Sequence, residues 1–296
     1  QRLREYTRYD GTPLFDHDVA VAEIVAKEIG LGRNSTVAAI LHDIMRIVSK
    51  ERPEEVESLS RTIREEFGEP VLGIIVGLCK ISNIKLKVSK EQADDFRDMI
   101  VSYSQDPRVI LIKLADRLEV MRELAIFPPD KRRKKSWESL NLYAQIAHKL
   151  GLYSIKSELE DLYFKHSDPE NYRAITNKLK ATEKDREKLA QEFVKPLEQS
   201  LKESGIKYKL KVRTKTAYSI WKKMQKQNVP FEGVYDVFAM RFILDVPLEK
   251  EHDYCWEVYS RVTQEYKPDV KRLRDWITNP KPNGYESLHT TVENSE

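Results

Sequence analysis

The sequence predicts an α+β protein of more than one domain: an all-helical first part, a helical linker and a mixed α/β last part. Apolar residues recur at three- and four-residue spacing through residues 16–165, which is typical of amphipathic helices. Residues 168–204 are rich in charge, which indicates long exposed helices. After Gly205 the sequence changes to alternating and short apolar-aromatic segments, which indicate strands. These observations give three predicted domains, at residues 1–155, 156–204 and 205–296.

Local sequence signals predict individual helices, strands and loops along the chain. Ser35-Thr36 precede one apolar-periodic segment and Asp106-Pro107 precede another, so both pairs are candidate helix starts. The alternating KYKLKVRTK and the apolar VYDVFAMRFIL predict two strands, and residues 251–266 predict a helix. The turn signals in DWITNPKPNGYESLHTTV predict a loop that leads into a last strand.

Composition limits the class of protein. The chain has 296 residues, of which 40% are hydrophobic and 33% are charged, which is typical of a folded protein with a solvated surface. No apolar segment approaches the roughly 20 residues that cross a bilayer, so we expect no membrane partner and a cytoplasmic location. Cys79 and Cys255 lack the spacing of a zinc site or a disulfide framework. Because Gln1 begins without an initiator methionine, we expect a fragment of a longer protein.

Charge limits the partners. The net charge is only +3, so binding to a polyanion depends on local clusters of cations. Residues 131–135 form such a cluster of consecutive lysines and arginines. Two interpretations stay open for this cluster: an exposed helix start, or a surface that faces phosphate.

Two histidines and two aspartates on predicted helices are candidate ligands of a metal ion. They are His17, His42, Asp43 and Asp116. Imidazole nitrogens together with carboxylate oxygens suit manganese, iron or zinc better than calcium. Ligands on separate helices can converge in the core of a helical bundle. The alternative is an ordinary buried histidine, but a lone carboxylate in an apolar helix is costly without a cation.

Four segments resemble the hydrolase half of the RelA/SpoT homologues, the bifunctional (p)ppGpp synthetase/hydrolases: GTPLFDHDVAVAEIVA, AAILHDIM, RVILIKLADRL and YAQIAHKLGLYSIKSELEDLYF. The resemblance implies an HD-type helical hydrolase domain that binds Mn²⁺ and removes the 3′-pyrophosphate of ppGpp. It assigns the four metal ligands to His17, His42, Asp43 and Asp116, and a nucleotide contact to Arg8.

The sequence departs from this family pattern at positions that the resemblance assigns to hydrolysis. Arg46 and Ile47 stand where the family has a Glu-Asp pair that organises the attacking water. Tyr9 replaces a lysine, and Glu119-Val120 replaces a His-Asn pair that resembles a pocket contact. An arginine stays protonated at physiological pH and cannot act as a general base. We therefore expect hydrolysis to be weak or absent.

Arg46 occupies the first position of the family's Glu-Asp pair, so this position must have a different role here. It follows Asp43 by three residues and His42 by four, so it faces the same side of the helix. We expect it to pair with a ligand carboxylate or to hold a phosphate. Two alternatives stay open. A metal ion can lower the pKa of water to near neutrality without a separate base, and the site can bind nucleotide as a regulator without catalysis.

The last part of the chain carries residues that suit nucleotide phosphates. A basic cluster spans a predicted strand end and helix start, where backbone N–H groups and cations can bind a triphosphate; an ordinary basic edge is the alternative. The cluster consists of Arg213, Lys215, Ser219 and Lys223. Asp236, a lone carboxylate in an apolar strand, is a candidate Mg²⁺ ligand. Tyr285 among several cations suits a purine nucleotide.

This part resembles the synthetase domain of the same family, which implies a mixed α/β nucleotidyltransferase-like fold. RTKTAYSIWKKM resembles its ATP motif, and the implied ATP contacts are Arg213, Lys215, Ser219, Lys223 and Arg241. YDVFAMR resembles the strand whose aspartate binds Mg²⁺, here Asp236. RLRDWITNPKPNGYESLHTTV resembles the guanine-nucleotide loop, with Tyr285 stacked on guanine. The implied acceptor site is lined by Arg272, Arg274, Lys281, Asn283 and His289.

Together these resemblances imply an enzyme of the stringent response. We expect the full-length protein to transfer pyrophosphate from ATP to the 3′-hydroxyl of GDP or GTP, with Mg²⁺ at Asp236. The implied partners are ATP, GDP/GTP and (p)ppGpp, and the ribosome through regions outside this chain. Two alternatives stay open: a Mn²⁺-dependent ppGpp 3′-pyrophosphohydrolase as the main activity, or a nucleotide-sensing hydrolase domain without catalysis.

Overall fold

The computed structural model describes residues 5–82, 106–234, 237–282 and 284–293. Contacts divide the chain into two units, Gln1–Ser167 and Asp168–Glu296. The first unit is helical and the second mixes helices with strands, which confirms the predicted fold class. The predicted linker boundaries stay a prediction. Among the described helices, none combines the length and the apolar character that crossing a bilayer requires.

Eight α-helices form the described part of the first unit. They are α1 (Leu14–Glu23), α2 (Arg33–Glu51), α3 (Val56–Phe67), α4 (Glu69–Ser82), α5 (Pro107–Arg122), α6 (Pro129–Glu138), α7 (Ala144–Lys149) and α8 (Tyr153–Ser167). Short π-helical segments follow α1 and α6. The cation cluster at residues 131–135 lies on α6.

The two predicted helix starts differ in outcome. Asp106 caps α5 as predicted, since its carboxylate accepts a hydrogen bond from the backbone N–H of Arg108 at 3.0 Å. The predicted cap at Ser35-Thr36 is wrong, because α2 begins at Arg33. Gly32 has an extended backbone and takes the N-cap position, so the helix begins two residues before Ser35. Ser35 and Thr36 therefore lie inside its first turn.

The core of the first unit lies where α2 and α5 each pack against α1 and α4. Ile74 and Ile75 on α4 and Ile112 and Leu118 on α5 have no exposed surface. Burying an aliphatic side chain of this size stabilises the fold by about 1.5–3 kcal/mol relative to leaving it exposed. The same packing brings α1, α2 and α5 together, and these helices carry the candidate metal ligands.

Four α-helices and six strands form the described part of the second unit. The helices are α9 (Pro169–Ala181), α10 (Glu183–Glu203), α11 (Ala217–Gln227) and α12 (Glu251–Glu265). The strands are β1 (Tyr208–Thr214), β2 (Phe238–Leu244), β3 (Lys267–Pro268), β4 (Arg274–Asp275), β5 (Leu288–His289) and β6 (Val292–Glu293). They form three antiparallel pairs, β1 with β2, β3 with β6 and β4 with β5.

The helix α10 packs one face against α12, although its charge predicted an exposed helix. Leu197 and Leu201 of α10 are buried in one cluster with Val258 and Val262 of α12. Leucines four residues apart lie on one face of a helix, so the charged residues occupy the other faces. The prediction of full exposure is therefore wrong for this face, which belongs to the core of the second unit.

Candidate metal centre and nucleotide cleft

The candidate metal ligands of the first unit converge on its core. His17 and Asp18 of α1 and His42 and Asp43 of α2 are all buried, and each offers a ligand atom within 4.8 Å of the others. Asp116 of α5 joins them, since its Oδ1 lies 3.4 Å from His17 Nε2. The structure thus brings together the four residues named from the sequence and adds Asp18, which sequence reasoning missed.

Asp18 shows that this group of residues fits a cation. Its side chain is fully buried, and within the described part of the chain neither of its oxygens has a hydrogen-bond partner. Burial, together with the charge of Asp43, raises the pKa of Asp18 to about 9. A buried carboxylate without a partner is unfavourable unless a cation faces it. Nitrogen and oxygen donors in this combination suit a divalent transition metal.

The ring of His42 is held in the tautomer that a metal ligand needs. Its Nδ1 lies 2.6 Å from the carbonyl oxygen of Ala39, which can only accept a hydrogen bond. Nδ1 is therefore the hydrogen-bond donor, and Nε2 is the ring nitrogen that a metal ion can bind. Nε2 lies 3.6 Å from Asp43 Oδ1.

Glu119 holds the ring of His17 in a similar way. His17 Nδ1 lies 2.5 Å from Glu119 Oε2, and Arg8 donates to both oxygens of Glu119 at 2.7 and 3.2 Å. Burial opposes the charged form of His17, but the hydrogen bonds with Asp116 and Glu119 outweigh it and raise the pKa of His17 to about 10. Glu119 is therefore a support of a candidate ligand. The sequence indicated only the loss of a pocket contact there.

Two candidate ligand carboxylates already carry a side-chain cation. Arg46 Nε donates to Asp43 Oδ1 at 2.7 Å, which is the pairing predicted from the sequence, and the Arg46 side chain is 46% exposed. Lys113 Nζ lies 2.6 Å from Asp116 Oδ2. Burial alone would raise the pKa of both carboxyls. His42 and Arg46 instead hold the pKa of Asp43 below its usual value. Lys113 and His17 hold the pKa of Asp116 well below its usual value.

Lys113 was also not predicted from the sequence, although its spacing from Asp116 could have indicated this contact. It precedes Asp116 by three residues on α5, as Glu119 follows Asp116 by three, so all three lie on one helix face. This spacing of a cation, a carboxylate and a second carboxylate in an apolar segment predicts a buried polar network.

An aromatic and cationic surface lies around Phe127 in the same unit. The Tyr9 ring meets the Phe127 ring edge-on at 5.3 Å, and the Arg8 guanidinium carbon lies 6.0 Å from its centre. Lys135 Nζ lies 4.7 Å from the same ring centre. Burial and the neighbouring Arg117 lower the pKa of Lys135 to about 8. One lysine of the cation cluster therefore packs on this surface rather than pointing into solvent.

A cleft of about 1080 Å³ in the second unit collects most of the residues predicted to bind nucleotides. Those that line it are Arg213, Lys215, Ser219, Arg241, Arg272, Arg274, Tyr285 and His289. The predicted contacts Lys223 and Lys281 do not line it. Asp236 and Asn283 lie outside the described residues.

The strand register explains how two arginines reach this cleft together. In the β1–β2 pair Arg213 lies opposite Ala239, so Arg213 and Arg241 are diagonal neighbours on the same face. The Tyr285 hydroxyl lies 2.9 Å from His289 Nε2, and Lys281 Nζ lies 5.2 Å from the centre of the Tyr285 ring. Burial, with Arg241 and Lys281 nearby, lowers the pKa of His289. The cleft is therefore cationic and is lined in part by the half-buried Tyr285.

The two units correspond to two known domain families. Residues 1–153 match the HD domain family, and residues 212–296 match the region found in RelA and SpoT proteins. The buried histidines and aspartates of the first unit therefore lie within an HD domain, and this domain is joined to a region found in RelA and SpoT proteins. The chain belongs to the RelA/SpoT family, as its sequence motifs predicted.

Named relatives cover nearly the whole chain. It is 37% identical over 289 residues to a guanosine-3′,5′-bis(diphosphate) 3′-pyrophosphohydrolase of Aquifex aeolicus and 38% identical over 287 residues to the bifunctional (p)ppGpp synthase/hydrolase SpoT of Escherichia coli, with 97% of the chain covered in each case. A GTP pyrophosphokinase of Myxococcus xanthus is 35% identical over 289 residues, 96% of the chain. The chain spans 39%, 39% and 36% of these three relatives, respectively.

Proposed function

We propose that the first unit is a Mn²⁺-dependent hydrolase that removes the 3′-pyrophosphate of ppGpp, and that this is the main activity of the chain. The convergence of buried histidines and aspartates around the partnerless Asp18 carries the proposal. Several relatives carry the name of a 3′-pyrophosphohydrolase, which supports hydrolysis, whereas the relative from Myxococcus xanthus is named a GTP pyrophosphokinase. The expectation that put synthesis first is corrected accordingly, since the relatives favour the hydrolase alternative.

Each residue has a defined role in this reaction. His17, His42, Asp43 and Asp116 would hold the metal ion, which when bound lowers the pKa of water and offsets phosphate charge. Glu119 and the Ala39 carbonyl keep the two imidazole rings oriented.

Arg46 suits phosphate binding rather than proton abstraction, because it remains protonated. Water attacks the phosphorus bonded to the 3′-oxygen, the P–O3′ bond breaks, and the 3′-oxygen takes a proton. The products are GDP and pyrophosphate. No carboxylate occupies position 46 or 47 to accept the proton of that water, so we expect a low rate.

Release of pyrophosphate from ppGpp tests this proposal. We expect turnover with Mn²⁺, and its complete loss in the His42→Ala/Asp43→Ala double variant, because two ligands are removed from the metal site. The chain offers a matched control, since His252 and Asp253 are an adjacent and exposed His-Asp pair in the second unit. The His252→Ala/Asp253→Ala variant should hydrolyse ppGpp at the wild-type rate. Binding of ppGpp without any turnover would instead support the sensor alternative.

The cationic cleft favours a second function for the second unit. We propose that it transfers pyrophosphate from ATP to the 3′-hydroxyl of GDP or GTP with Mg²⁺, for which Asp236 stays the predicted ligand. The observation behind this proposal is that Arg213 and Arg241 lie on one face of the β1–β2 pair and line the same cleft as Tyr285. Two guanidinium groups on one face can bind adjacent phosphates of a triphosphate.

Titration calorimetry with ATP and Mg²⁺ tests the cleft. Arg241→Ala should weaken ATP binding by about tenfold or more, since a charge-assisted hydrogen bond contributes about 1.5–3 kcal/mol. Arg173→Ala is the control, because Arg173 is an exposed arginine of α9 that does not line the cleft. Equal affinities for both variants and the wild type would contradict the assignment of the cleft to ATP.

A further inference from the structure

We propose that Asp18 is an additional carboxylate donor of the metal site, beyond the four ligands named above. This inference rests on the proposed metal-dependent function. Asp18 follows His17 on α1, its side chain is fully buried, and among the described residues neither oxygen has a hydrogen-bond partner. One of its oxygens lies within 4.8 Å of a possible donor atom of each of His17, His42 and Asp43. Its position therefore suits direct contact with the same ion.

The contacts of His42 argue against a purely supporting role for Asp18. Asp18 Oδ1 lies 3.5 Å from His42 Nδ1, which is too long for a firm hydrogen bond. His42 Nδ1 already donates to the carbonyl oxygen of Ala39 at 2.6 Å. Because the Ala39 carbonyl already orients the His42 ring, Asp18 is not needed for that purpose. Its carboxylate is therefore available to a cation.

The charges around the site give a reason for the extra carboxylate. Asp43 is paired with Arg46, and Asp116 is paired with Lys113, so two ligand carboxylates are already offset by side-chain cations. In the described part of the chain, no lysine or arginine forms an ion pair with Asp18. Asp18 therefore supplies negative charge that a divalent ion can use. In our assignment it compensates for the arginine at position 46.

An additional oxygen donor also affects which metal is preferred. Carboxylate-rich sites suit manganese and magnesium, whereas imidazole-rich sites suit zinc and copper. Removing the carboxylate of Asp18 should therefore weaken Mn²⁺ binding more than Zn²⁺ binding. Loss of an outer-shell partner alone typically lowers metal affinity by about 10- to 100-fold, so loss of a direct donor should lower it at least as much.

Metal binding by the Asp18→Asn variant of the whole chain tests the proposal. Chelator-treated protein is titrated with Mn²⁺, and free Mn²⁺ is measured by electron paramagnetic resonance. We expect the dissociation constant to rise at least about tenfold. Asp16→Asn is the matched control, because Asp16 lies on the same helix and is exposed, and it should bind Mn²⁺ like the wild type. Asp18→Ser is measured in parallel, and circular dichroism identifies the variants that fold.

The visible spectrum of bound Co²⁺ separates a direct donor from an indirect effect. A change in coordination number alters the intensity of the Co²⁺ bands, so removal of the carboxyl group in Asp18→Ser should change them. Weaker Mn²⁺ binding with an unchanged Co²⁺ spectrum would overturn direct donation. Unchanged Mn²⁺ affinity in a folded variant would overturn the inference and leave the proposed hydrolase standing. Failure of the wild type to bind Mn²⁺ would overturn both.

Discussion

Replacing Arg46 with glutamate should raise the rate of ppGpp hydrolysis by about 100-fold, because a positioned general base typically contributes 10²–10⁴-fold. Arg46 is bound to the candidate ligand Asp43 through Nε at 2.7 Å, so the side chain at this position reaches the site. The Arg46 side chain is also 46% exposed, so this position borders solvent. The Arg46→Glu change frees Asp43 and supplies a carboxylate that can accept a proton from water.

The Arg46→Gln variant separates these two effects. Glutamine also releases Asp43 but cannot accept a proton, so it should strengthen Mn²⁺ binding without a comparable gain in rate. Steady-state release of pyrophosphate from ppGpp at saturating Mn²⁺ gives the rate for each variant. Equal rates for the glutamine and glutamate variants would show that release of Asp43, rather than general base catalysis, limits the wild-type enzyme. Lower rates in both variants than in the wild type would instead support a role for Arg46 in holding phosphate.

The convergence of the candidate metal ligands was predictable because it depends on few features of the sequence. His42 and Asp43 are adjacent in an apolar helical segment, and Asp116 lies in another such segment. A buried polar residue on an amphipathic helix faces the other helices of the bundle, so the contact follows from helical periodicity. The pairing of Arg46 with Asp43 follows in the same way from their three-residue spacing.

The residues that sequence reasoning missed depend on packing that periodicity does not describe. Asp18 is a second polar residue beside His17, and its complete burial results from the way α2 and α5 pack against α1. Glu119 contacts Arg8, more than a hundred residues away, and no local pattern relates the two. The packed face of α10 was missed because its charged residues outnumber the leucines that form its apolar stripe.

Of the substitutions proposed above and below, Glu119→Ala should lower the free energy of unfolding most. Glu119 accepts hydrogen bonds from Arg8 and His17, and the side chains of all three are at most 11% exposed. Breaking a buried ion pair by removing one partner typically costs about 3–5 kcal/mol, because the remaining charge is left without compensation. We expect a loss of this size in the free energy of unfolding for Glu119→Ala. Glu123→Ala is the control, since Glu123 is an exposed glutamate at the end of the same helix.

The pH dependence of this loss identifies the contribution of His17. In the metal-free protein its pKa is raised to about 10, above the ordinary value of 6.5, because Asp116 and Glu119 outweigh its burial. A raised pKa stabilises the fold fully below pH 6.5, and this stabilisation disappears as the pH rises through 10. The cost of Glu119→Ala should therefore shrink between these values. It should not vanish, because Arg8 stays charged and has lost its partner.

Thermal unfolding of chelator-treated protein between pH 6 and pH 10 measures both parts of this prediction. A cost that is independent of pH would mean that Glu119 acts only through Arg8, and that His17 owes its raised pKa to Asp116. A cost no larger than that of Glu123→Ala would contradict the network altogether. Addition of Mn²⁺ should then reduce the pH dependence of the wild type, because metal binding requires a neutral imidazole at His17. Glu119, which stands where the family has a histidine, would thus contribute to folding without metal and orient the candidate ligand His17 when metal is bound.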